Sequence, residues 1–222
     1  MPSKDQWQQM WARFGVTKPD VSVFDQLLAR YSESHRKYHT ARHLDECFAK
    51  FEELRSDATH PDEVEFALWF HDAIYETKRH DNEERSADWA RATGVAANLS
   101  VDVIDRIHTL ILATRHDAVP RDTDEKILVD VDFSILGEKA DRFDEYEDQI
   151  RREYAWVPGV VFRAKRRKIL RGFLDRASIF NTRRFVAAYE AQARANLERS
   201  IKKLGGSNPA KLNEGPPPGL NR

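Results

Sequence analysis

The chain has 222 residues, enough for one generous domain, and its 36 Lys and Arg against 37 Asp and Glu leave a formal charge of -1. Near-neutrality excludes recruitment of nucleic acid or an acidic membrane by bulk attraction. The single cysteine, Cys47, excludes an internal disulfide and a cysteine-based zinc cluster; with no signal-peptide core after Met1 and no membrane-length apolar run, a soluble cytoplasmic protein is expected.

From about residue 5 to 203 the apolar residues recur at three and four, which predicts helices throughout and an all-α fold. Trp7, Met10, Trp11 and Phe14 make a first stripe; Val23, Leu27, Leu28 and Tyr31 make a second after Pro19-Asp20. A third helix is predicted from Thr40, a plausible N-cap, to Leu54, with Leu44, Cys47, Phe48 and Phe51 facing inward as core. Pro61-Asp62 opens a fourth, on which Val64, Ala67, Leu68 and His71 share the inner face.

A polar loop then leads to a helix capped by Asp81 or Asn82, with Glu83 and Glu84 in its first turn. Ser100 caps the next, which carries Ile104, Ile107 and Ile111 and ends near His116. Further helices are predicted over Asp124 to Leu136, Tyr146 to Tyr154, Val160 to Leu174 and Arg183 to Leu204. The last is laced with spaced charge pairs, a surface pattern that also suits the seam of a homodimer. Gly205-Gly206-Ser207-Asn208-Pro209 and Gly215-Pro216-Pro217-Pro218-Gly219 cannot pack a core, so residues 1–204 read as one domain and 205–222 as a disordered tail.

The chemistry concentrates in Leu68-Trp69-Phe70-His71-Asp72-Ala73-Ile74-Tyr75, an apolar run containing two adjacent metal-grade ligands. A buried charge is costly unless paired or coordinated, and a divalent cation is the economical partner. Further ligands must come from elsewhere. Upstream, His39 and His43 stand four apart, and His43, on the side of Leu44 and Cys47, is favoured. Downstream, Asp130 and Asp132 interrupt an apolar segment; Asp132 shares a stripe with Leu128 and Leu136 and is preferred, with Asp130 in reserve. Two imidazoles and two carboxylates form a mixed nitrogen and oxygen set that suits Mn²⁺, Fe²⁺, Co²⁺, Zn²⁺, Ni²⁺ or Mg²⁺.

The order His43, His71-Asp72, Asp132 resembles the HD superfamily of metal-dependent phosphohydrolases. The segments Tyr38-His39, Asn82-Glu83-Glu84-Arg85-Ser86-Ala87, Asp130-Val131-Asp132-Phe133 and Arg151-Arg152-Glu153-Tyr154 are similar to a bacterial subgroup of predicted HD phosphohydrolases. The resemblance implies a compact HD-domain-like helical bundle, a cation held by His43, His71, Asp72 and Asp132, and Asp72 also orienting the nucleophilic water. It further implies a small phosphorylated substrate such as a nucleotide.

Around that core, Glu83 and Glu84 either complement a helix N-terminus or return to the site as general acid or base. Arg79, Arg115 and Arg152 are candidate phosphate clamps, although most arginines in so charged a chain are solvated. His116 is either a substrate or metal contact or a cation favoured at a helix C-terminus. A binding module that senses a nucleotide or metal without turnover is the alternative function, and a metal-free helical scaffold the third. No glycine-rich phosphate loop or Gly-x-Ser-x-Gly elbow is present.

Overall fold

A computed structural model describes residues 2–115 and 119–206. Ten helices occupy them and no strand: α1 (Lys4–Arg13), α2 (Val21–Arg30), α3 (Ala41–Glu52), α4 (Pro61–Phe70), α5 (Asn82–Ala96), α6 (Val101–Ala113), α7 (Thr123–Asp132), α8 (Ala140–Glu153), α9 (Gly159–Leu174) and α10 (Arg183–Gly205). Short 3₁₀ turns follow α3 (Arg55–Asp57) and α7 (Phe133–Gly137). No helix among them is long and apolar enough to cross a membrane.

The bundle is arranged around α4, which packs against α1, α3, α5, α6 and α7. The sequence predicts one apolar stripe there, but every residue from Glu63 to Phe70 is buried. A helix surrounded on all sides has no solvent face, so its charged residues need partners. Arg106 grips Glu63 with two bonds of 2.7 and 2.6 Å, and Arg13 and Arg55 meet on Glu65.

The tryptophans of α1 lie edge-to-face on α4: Trp7 against Trp69 at 5.3 Å and Trp11 against Phe66 at 5.1 Å. Burial of each indole's apolar surface contributes about 4–6 kcal/mol, from about 150–250 Å² at about 25 cal/mol per Å², less about 1–3 kcal/mol for its buried N–H, which has no hydrogen-bond partner among the described residues. The aromatic excess here is packing.

Several predicted ends move. The expected helix over Asp124 to Leu136 ends at Asp132 and continues as a tighter 3₁₀ turn, whose far end is held to α10 by the buried Asn196 amide donating to the carbonyls of Leu136 and Glu138 (2.9 and 2.7 Å). Gly137 is required at this contact: a Cβ there would lie 2.6 Å from Tyr189 Cβ. The eighth helix begins at Ala140, earlier than the apolar pattern shows, since its first residues are polar. The last helix extends to Gly205, one residue beyond the predicted boundary; the rest of the predicted tail, from residue 207, lies outside the described residues.

Candidate metal centre

Three helices deliver the donors. His43 lies in the first turn of α3 and is 2% exposed; His71 is the C-cap of α4 and 1% exposed. His71 was expected within the helix, and it keeps the helical phase: its N–H still reaches Ala67 O at 2.9 Å. Asp72 follows, and Asp132 is the last residue of α7. The centre therefore sits where α4 and α7 both end, at the negative ends of two helix dipoles, a place that favours a cation and disfavours bare carboxylates.

The distances are short and mutual. His43 Nε2 stands 3.2 Å from His71 Nε2, 3.4 Å from Asp72 Oδ2 and 3.4 Å from Asp132 Oδ1. His71 Nε2 stands 3.3 Å from Asp72 Oδ2 and 3.7 Å from Asp132 Oδ1. His71 Nδ1 donates to Leu68 O at 2.8 Å, which leaves Nε2 as the lone-pair nitrogen facing inward.

Burial opposes charge on every member, but the neighbours override it. Cys47, Asp132 and Asp72 hold His43 well above its ordinary range, and Asp72, Tyr31 and Asp132 do so for His71. The histidines in turn hold Asp72 and Asp132 well below the usual carboxylate range. Yet only one proton fits between two Nε2 atoms 3.2 Å apart. A divalent ion satisfies what protons cannot: with metal–ligand bonds of about 2.0–2.2 Å, tetrahedral ligand edges are about 3.3–3.6 Å, close to the separations found. The donors fit a metal.

Of the paired alternatives, the structure brings His43 and Asp132 to the cluster and gives His39 and Asp130 other work. Asp130 accepts from the backbone N–H of Asn181 (2.8 Å) and Thr182 (2.7 Å) and from the Asn181 amide (2.9 Å), anchoring the start of α10. His39 stacks on Tyr75 at 4.0 Å and its Nδ1 lies 2.8 Å from Glu153 Oε2.

The sequence reading passed over three residues. Cys47, read as core packing, is buried one helical turn after His43 and belongs to a group with His43, His71 and Asp132 in which the donor atoms all lie within 4.8 Å. Glu153, its side chain fully enclosed, receives the backbone N–H groups of Lys37, Tyr38 and His39 at 2.7, 2.8 and 3.0 Å and the Tyr75 hydroxyl at 3.0 Å. Arg36, also buried, donates to the carbonyls of Asp72 (2.7 Å), Ala73 (3.0 Å) and His39 (3.2 Å), tying the His-Asp turn to the strap before α3. Only the placement of Cys47 four residues after His43 was visible in the sequence.

The remaining candidates divide. Glu83 lies in the field of Asp72, and burial followed by that neighbour pushes its carboxyl up. Glu84 Oε1 accepts from Arg115 at 2.7 Å, while its buried Oε2 has no hydrogen-bond partner among the described residues. Arg79 is half-exposed and paired with Asp81 in the loop before α5. Arg152 is exposed on α8, within the field of Glu145, and His116 lies outside the described residues. Comparison of the chain with protein-family models, with curated proteins and with solved structures returns no match.

Proposed function

We propose that the protein is a metal-dependent phosphohydrolase of the HD type, acting on a small phosphate ester or nucleotide. The observation that carries this reading is the convergence of His43, His71, Asp72 and Asp132 at separations of 3.2–3.7 Å. Asp72 and Asp132 remain 18% and 17% exposed while both imidazoles are enclosed, so the carboxylate side is the face a substrate can approach. A cation bound there supplies positive charge to polarise a phosphoryl oxygen and to acidify water.

The chain's own groups do the rest. Asp72 orients water beside the phosphorus. Glu83, whose carboxyl is pushed up by burial and by the field of Asp72, takes up a proton more readily than an ordinary glutamate and is assigned the general acid or base role. Arg115, paired with Glu84, is the guanidinium assigned in this reading to meet phosphate charge.

The test is a screen of p-nitrophenyl phosphate and of nucleoside mono-, di- and triphosphates with Mn²⁺, Co²⁺, Zn²⁺ or Mg²⁺. Turnover with at least one pair is expected, abolished by chelator and reduced roughly 100-fold or more in Asp72→Ala with helicity unchanged. Tight nucleotide binding without product would replace catalysis with sensing, and neither turnover nor binding would end both readings.

A further inference from the structure

We propose that Cys47 is an inner ligand of the metal, closing the centre on its buried side and biasing it toward Zn²⁺ or Co²⁺ over Mg²⁺. The inference rests on the metal centre described above but not on phosphohydrolase activity. A cysteine that merely fills a core has apolar neighbours. Cys47 instead faces an imidazole: its Sγ is 3.7 Å from both Nδ1 and Nε2 of His43.

Only the separation from Nε2 bears on a metal held at that nitrogen; the equal distance to Nδ1 sets the sulfur beside the Cε1 edge of the ring, so the thiol reaches the ion by a side-chain rotation. With a metal–sulfur bond of about 2.3 Å and a metal–nitrogen bond of about 2.05 Å, the tetrahedral sulfur–nitrogen edge is about 3.6 Å. The shared trio of His43, His71 and Asp132 thus has two claimants for its remaining corner, Asp72 on the solvent side and Cys47, 2% exposed, on the inner side. One residue can bind without displacing the other, since Zn²⁺ and Co²⁺ accept five ligands as well as four. The spacing from His43 to Cys47 places both side chains on one face of α3, so a single rigid helix presents nitrogen and sulfur together.

The chemistry follows from softness. A His₂-Asp-Cys set is matched to borderline metals, whereas Mg²⁺ and Ca²⁺ require oxygen. Binding releases the thiol proton to solvent.

The full chain, stripped with chelator, is titrated with Co²⁺ while its absorption spectrum is recorded. A near-ultraviolet thiolate-to-cobalt band is expected to grow to one equivalent alongside the visible cobalt bands, with millimolar Mg²⁺ unable to displace the metal. In Cys47→Ser the near-ultraviolet band disappears, the visible bands persist, and affinity falls roughly tenfold or more. X-ray absorption of the Zn²⁺-loaded wild type needs no variant and should show one sulfur at about 2.3 Å. Stoichiometric Co²⁺ without the band, or Zn²⁺ with only nitrogen and oxygen neighbours, overturns the assignment. Inactivity on every phosphate ester with the band intact would refute the phosphohydrolase reading alone.

Discussion

Replacing Glu153 with Gln tests how the strap carrying Tyr38 and His39 is held against the bundle. Burial pushes the Glu153 carboxyl up, but His39 and the backbone N–H groups of Lys37 and His39 outweigh it and bring the group to about 2, against 4.5 for an unperturbed glutamate. At about 1.4 kcal/mol per tenfold change in proton affinity, the charge contributes about 3 kcal/mol at neutral pH. The folded value is depressed, so the contribution is full above about pH 5 and is lost as pH falls toward 2.

Glutamine keeps the shape but offers one oxygen to three backbone donors and turns its NH₂ toward Tyr75 or His39. Urea unfolding followed by tryptophan fluorescence should therefore give a difference between wild type and Glu153→Gln of about 3 kcal/mol at pH 7, shrinking to about half or less at pH 3. Titrations of groups that do not touch Glu153 are common to both proteins and cancel. Equal differences at the two pH values, or a variant as stable as wild type at pH 7, would refute the argument.

Asp130→Asn and Asp132→Asn should separate the two acids of α7: the first is expected to lose about 1–3 kcal/mol by unpairing the start of α10 while retaining metal, the second to lose metal in equilibrium dialysis. Arg36→Lys should destabilise by about 2–4 kcal/mol in urea unfolding and weaken Co²⁺ binding, because an ammonium cannot span three carbonyls as the planar fork does. Gly137→Ala places a methyl against Tyr189 and should lower stability by about 1–3 kcal/mol, read as a fall in Tm, without changing metal content.

The all-helical architecture is legible because most helices carry their apolar residues on one stripe, as Leu27 and Tyr31 do at α2, both buried. Helix α4 was legible as an element but not as the centre of the bundle, since Glu63 and Glu65 look like solvent-facing residues until Arg106, Arg13 and Arg55 arrive from other helices. The site followed the same rule. His43, His71 and Asp132 are polar residues at apolar positions, a signal local in sequence. Glu153 and Arg36 act through backbone groups far away in the chain, and no spacing announces such a contact. Cys47 reads as core and does lie in the hydrophobic core; what the spacing does not announce is that its sulfur also comes within 4.8 Å of the donors of His71 and Asp132.

The donors of the centre enter the chain in the order His43, His71, Asp72, Asp132, on helices that no single hairpin joins. A chain that ends at α6 already carries His43, Cys47, His71 and Asp72 and lacks only Asp132 of the proposed donors. A cation held by the full set would stabilise the completed fold, which alone gathers all the donors, by its own binding free energy.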